Sequence, residues 1–208
     1  MTHMSENRHL FNEYYNQPIN HIKWFEPFVD PIILEEFKND SIHEGMSLLD
    51  IGAGCSLDSI FFAYNGFNVT SVDFAQNALD KLRDLAGLIG VSIKLIHTSV
   101  LDLPEEIVAQ FDIASDNGCF HHIDPSKRRA YAESLSRVLK PGGVLYIRAH
   151  SSQGQNPPPG PLRAHRLSSD VIIDTFSQHF IISDMFHYNY FKTGNGSKRV
   201  WFIKMINR

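Results

Sequence analysis

Two aspartates and two glycines stand where residue type and spacing can bind a ligand. Asp50-Ile51-Gly52-Ala53-Gly54 closes a short apolar run, and Asp73 follows Gly54 by 19 positions. Glycines at 52 and 54 permit a tight turn and let a ligand approach the backbone closely. A carboxylate at position 73 can accept from both hydroxyls of a ribose, so loop and acid together point to an adenosine-containing ligand. Farther along come Cys119, His121 and His122. An imidazole titrating near neutrality is a natural general base. Adjacent side chains on extended backbone point to opposite faces, so at most one of His121 and His122 is expected to face a substrate. The Cys119–His121–His122 spacing matches no zinc signature, and no metal is expected. The Trp24-Phe25 pair offers an aromatic face suited to a cation. Arg163, His165, Arg166 and His150 are candidates for holding an anionic group.

These residues need a scaffold, and the hydrophobic pattern supplies one. Leu57, Ile60, Phe61 and Tyr64 recur at helical spacing, as do Ala78, Leu79, Leu82, Leu85, Ala86 and Ile89, closed by Gly90. Strand-like segments cover 46–52, 67–74, 92–100, 111–118 and 144–150, with a short helix expected over 104–109. Asp124-Pro125 starts a helix whose buried stripe is Tyr131, Leu135, Val138 and Leu139, and Lys140-Pro141-Gly142-Gly143 stops it. A further helix fits 169–178. The apolar runs 180–186 and 199–206 follow without a helix between them, joined through the turn residues 192–197 as an antiparallel hairpin. This order predicts an α/β fold with a doubly wound, mostly parallel seven-stranded sheet and a C-terminal antiparallel hairpin. Residues 1–45 read as a helical cap and 46–208 as the ligand-binding domain. The Pro/Gly-rich segment 151–166 reads as a lid or binding loop.

Composition excludes several classes. With 208 residues, 43% apolar and 20% charged, the chain is globular and long enough for one domain with appended structure. The formal charge of −4 gives a nucleic-acid partner no electrostatic support. Two cysteines are too few for a disulfide-stapled fold, and no apolar run or leader suggests a membrane or secretion. A reduced, cytoplasmic setting is expected.

A nicotinamide fingerprint requires a third glycine where Leu57 stands. The chain instead resembles class I S-adenosylmethionine-dependent methyltransferases, through LLDIGAG at 48–54, SVDF at 71–74, FDIASDNGCFHHI at 111–123 and RVLKPGGVLYI at 137–147. The resemblance implies a Rossmann-like fold and S-adenosylmethionine as methyl donor for a small-molecule acceptor. It places Gly52, Ala53 and Gly54 against the methionine moiety, with Asp50 organising the loop and Trp24 closing over the cofactor. Asp73 would hold the ribose and Phe74 the adenine, with Ser99 and Val100 beside the adenine amino group. Asp116 and Asn117 would line the methyl-donor region, and His121 or His122 would serve as base. Ser56 departs from a frequent glycine and Ser99 from a frequent acid. A nicotinamide-dependent oxidoreductase and a non-catalytic cofactor-binding protein are the competing readings.

Overall fold

Two helices precede the first strand, α1 (His3–Tyr14) and α2 (Pro31–Lys38). Asp30 caps α2 by accepting from the Ile32 amide, and Pro31 stands at the first helical position, where its missing N–H costs nothing. Then β1 (Ser47–Ile51), α3 (Leu57–Tyr64), β2 (Asn68–Asp73), α4 (Gln76–Ile89) and β3 (Lys94–His97) alternate. They are followed by β4 (Phe111–Asn117), α5 (Arg128–Val138), β5 (Leu139–His150), α6 (Ser169–Phe176), β6 (Phe180–Lys192) and β7 (Gly196–Asn207). This computed structural model describes residues 3–39, 41–154, 164–192 and 196–208. Arg163, most of the expected 151–166 loop and the tip of the hairpin turn therefore lie outside the described residues.

The chain divides into two compact units, Met1–Ser99 and Val100–Arg208. In the first, the strands run in the order β3-β2-β1, all parallel, with Asp50 opposite Ser71 and Asp73 opposite His97. In the second, the order is β4-β5-β7-β6, with β4 and β5 parallel and both β7 contacts antiparallel. The result is the mostly parallel, seven-stranded mixed sheet with a C-terminal antiparallel pair. Leu48, Leu49, Ile51 and Val72 are buried, as parallel strands covered on both faces require. On α4 the buried stripe is Ala78, Leu79, Leu82 and Ala86, and Gly90 ends the helix in the left-handed region. On α5 it is Tyr131, Ala132, Leu135 and Val138. Among the described residues no helix is long and apolar enough to cross a membrane.

Three expected segments differ. No helix forms over 104–109. The Arg137 guanidinium instead draws in the carbonyls of Leu103, Pro104, Glu105 and Ile107 at 2.7–3.2 Å, oxygens that a helix would have to spend internally. The Lys140–Gly143 segment does not merely stop α5. It already lies in β5, which begins at Leu139 opposite Phe111, with a register shift between Phe111 and Ile113. Lys140 pairs with Asp112 at 2.7 Å, and a Cβ at Gly143 would fall 2.9 Å from the Lys140 carbonyl oxygen. The third strand is shorter than 92–100, ending at His97 where the Thr98 amide turns to the carbonyls of Asp73 and Ile96.

The chain end is fastened by Asn207, which is buried. Its amide group donates to the carbonyls of Ser136, Leu139 and Lys140 at 2.9–3.2 Å, and its Oδ1 accepts from Ser136 Oγ at 2.7 Å. Asn207→Ala leaves those buried groups unsatisfied and is expected to cost about 1–3 kcal/mol. Urea unfolding checks this, as a lowered midpoint with an unchanged slope.

Candidate functional site

In the first unit, the loop after β1 is held by the end of β2. Gly52 and Gly54 both have positive φ, +61° and +58°. The Ala53 amide donates to the Val72 carbonyl at 3.0 Å, and the Gly54 amide to Asp73 Oδ2 at 2.8 Å. Asp73 Oδ1 accepts from the Ala75 amide at 2.7 Å, so one carboxylate fixes the glycine loop and the entry to α4 together. Burial pushes the Asp73 carboxyl upward from its ordinary value, opposed by those two amides. Asp50 accepts from Ser59 Oγ on α3, and that hydroxyl also meets Ser71 Oγ on β2 at 2.7 Å. Three elements are thus joined by a buried polar chain. Ser56 caps α3 by accepting from the Asp58 amide. His97 hydrogen-bonds the Phe74 carbonyl at 3.0 Å.

An aromatic group from the N-terminal segment lies on this loop. Trp24 packs edge-on against Phe11, Tyr14 and Tyr15 with centroids 5.1–5.7 Å apart, and Phe11 meets Phe74 at 5.6 Å. Trp24 Nε1 donates to the Tyr15 hydroxyl at 2.8 Å. A Cβ built on Gly54 would lie 2.4 Å from that hydroxyl oxygen, so only glycine is tolerated beneath Tyr15. Burial, reinforced by Asp73, holds the Tyr15 hydroxyl well above its usual range and hence protonated. Ser99 is also buried in this unit. Burial pushes the Cys55 thiol up to about 11, which leaves it inert.

In the second unit, Asp116 at the end of β4 is turned inward. Its oxygens accept from the amides of Gly118, Cys119 and Phe120 at 2.7–3.0 Å and from the Tyr131 hydroxyl. Burial raises its carboxyl to about 6. The clamp winds Phe120–His122 into a 3-10 turn, and this corrects the expectation of extended backbone there. Both imidazoles consequently share one cluster. The His121 ring is 4.5 Å from His122 and stacks on His150 at 4.2 Å and 26°. His121 Nδ1 accepts from the His150 amide at 3.4 Å, which leaves its proton on Nε2. Burial drives the His121 pKa far below normal, helped by His122 and His150, so this buried ring is neutral. His122 is only half-buried and Val100 is buried. Asn117 closes β4, opposite Arg148.

Tyr15, Ser59, Ser71 and Tyr131 were not singled out from the sequence for any role at the site. Tyr15 was visible only as one aromatic among many, and serine pairs carry no signal until their strands are aligned. Among the described residues, no group of three or more His, Cys, Asp or Glu could hold a metal ion.

Residues 48–143 match the family model described as a methyltransferase domain. The ubiquinone biosynthesis O-methyltransferase of Pseudomonas syringae pv. tomato is 31% identical over 116 residues, 54% of this chain and 47% of that protein. The human EEF1A lysine methyltransferase 2 is 35% identical over 109 residues, 49% of this chain and 46% of that protein. The chain spans about half the length of these curated relatives. The solved structure of Burkholderia thailandensis 1,6-didemethyltoxoflavin-N1-methyltransferase, with its acceptor and S-adenosylhomocysteine bound, superposes with a TM-score of 0.80. It has 21% identity and covers 98% of this chain and 88% of that one, a likeness of fold.

Two measurements follow from this geometry. Gly54→Ala must hold a left-handed φ and push its Cβ into Tyr15. The first effect alone costs about 1–2 kcal/mol, and Tyr15→Phe should relieve the second, appearing as favourable coupling in a double-mutant cycle of unfolding free energies. Burial and nearby cations lower His150 to about 3, below its unfolded value near 6.5. Its contribution to stability is therefore complete above pH ~6.5 and is lost as pH falls toward 3. At pH 5, His150→Gln should retain about 2 kcal/mol more of its neutral-pH stability than the parent does. Asp116 titrates alike in both proteins and cancels in that comparison.

Proposed function

We propose that this chain carries a class I S-adenosylmethionine-dependent methyltransferase domain and transfers the S-methyl group to a small-molecule acceptor. The observation that carries the reading is the glycine loop latched to Asp73, with the N-terminal aromatic group lying on it. The donor set fits the ligand. A carboxylate offers about four lone-pair sites, so Asp73 retains acceptor capacity for two ribose hydroxyls after receiving two amides. The Tyr15 oxygen accepts from Trp24, which leaves its own O–H to donate to the methionine carboxylate. Trp24 supplies aromatic surface for a sulfonium, and Phe74 supplies it for the adenine. Gly52, Ala53 and Gly54 allow the methionine part to lie against backbone, and Asp50 holds their loop through Ser59. Ser99 and Val100 are assigned to the adenine edge, and Asn117 to the methyl-donor region.

S-adenosylmethionine, when bound, supplies a methyl group on a good leaving group, so the protein must align the acceptor and exclude water. Residues 1–45, carrying Tyr15 and Trp24, act as a cap on the cofactor in this reading. Asp116 acts at one remove, by shaping the turn that presents the histidines. Of the two candidate bases, His121 is buried and neutral with its Nδ1 occupied, so His122 is assigned the acceptor's proton. The net charge of −4 favours a small molecule over nucleic acid. Two cysteines, Cys55 and Cys119, not joined in a disulfide, suit a reducing, cytoplasmic setting.

Calorimetry with S-adenosylmethionine, S-adenosylhomocysteine and NAD tests the reading. Binding of the first two without the third is expected, and the reverse would establish a nicotinamide site. Asp73→Ala, checked for folding by circular dichroism, should weaken S-adenosylhomocysteine at least about tenfold, the loss of a hydrogen bond to a charged group. His122→Ala should lower turnover by about 10²–10⁴ with cofactor affinity unchanged.

A further inference from the structure

The second unit gathers cations around a stacked imidazole pair. His150 ends β5, and the returning segment is stitched beside it. The His165 amide donates to the His121 carbonyl at 2.6 Å and the Leu167 amide to the His150 carbonyl at 2.9 Å, while Arg166 Nη1 reaches the Ser151 carbonyl at 2.8 Å. Among the described residues, two buried polar atoms in this group, His150 Nδ1 and Arg166 Nε, have no hydrogen-bond partner. Buried polar atoms are rarely left so, and such a pair calls for an explanation. Register places Arg148 and His150 of β5 on the sheet face that also carries Lys198 of β7 and Tyr190 of β6. Arg148 lies 4.0 Å over the Tyr190 ring.

We infer that His150 and Arg166, with Lys198 and Arg148 around them, form the seat for the methyl acceptor, and that this acceptor is bound as an anion. The inference rests on the methyltransferase reading and deepens it by naming the acceptor's chemistry. Besides burial, Lys198, His122, Arg166 and Arg148 all act on His150 against its protonation. An anion would accept hydrogen bonds at both orphaned nitrogens and offset the positive charge gathered beside them.

Benzoate and benzamide have the same shape and differ in charge, and they serve as probes. Each is titrated into the full chain by calorimetry, with and without S-adenosylhomocysteine. Benzoate should bind at least about tenfold more tightly than benzamide, as expected for a charge-assisted hydrogen bond. Arg166→Gln and His150→Gln should each remove most of that preference. Lys198→Gln, at an exposed position that the fold does not need, should reduce it and its salt dependence. Equal affinities, binding of neither probe, or an undiminished preference in folded Arg166→Gln and Lys198→Gln would overturn the inference. Absence of S-adenosylhomocysteine binding in the same cell would instead sink the methyltransferase reading, while the benzoate preference of the free protein still judges the anion seat.

Discussion

A buried carboxylate that spends its oxygens on the backbone amides of a loop is the constraint on which both halves of this structure depend. Asp73 receives the amides of Gly54 and Ala75, and so binds the loop after β1 to the end of β2. Without that latch, a loop containing two left-handed glycines has no reason to keep one shape, because glycine is the residue least constrained by its own sterics. Asp116 repeats the device in the second unit, where three amides and the Tyr131 hydroxyl converge on it. Each aspartate stands at the carboxyl end of a parallel strand, where ligands of open α/β sheets bind.

Burying charges this deeply has a cost, visible in the direction in which each deeply buried group shifts. Desolvation raises Asp73, Asp116, Tyr15 and Tyr131 and lowers His121 and His150. Hydrogen bonds from amides offset the penalty for the two carboxylates. No comparable offset exists for the two imidazoles, which remain neutral among cations.

The motif around 137–143 illustrates how a family signature can be structural rather than catalytic. Arg137 collects four carbonyls of the chain before β4, Lys140 pairs with Asp112, and Gly143 stands where any side chain would strike the Lys140 carbonyl. Asn207, from the far end of the chain, fastens to the same corner through the carbonyls of Leu139 and Lys140. These contacts set the edge from which β5 delivers Arg148 and His150.

The alternation of strands and helices, the glycine turn, the acid at the end of β2 and the closing hairpin were all legible in the sequence. Each follows from local periodicity, or from a residue whose backbone freedom or charge is distinctive by itself. The helix end at Gly90 was readable for the same reason, whereas the cap at Ser56 was not read from the sequence. Contacts between residues distant in sequence were not legible. The Asp50–Ser59–Ser71 chain requires β1, α3 and β2 to be aligned first, and Tyr15 gains meaning only when its hydroxyl settles on Gly54. The turn at 120–122 follows from Asp116 outcompeting the extended pattern with four hydrogen bonds, and the 104–109 segment loses its helix to one arginine 30 residues away. Local sequence determined which elements form; tertiary structure decided which polar groups find one another, because desolvation makes those pairings obligatory only once the chain has closed around them.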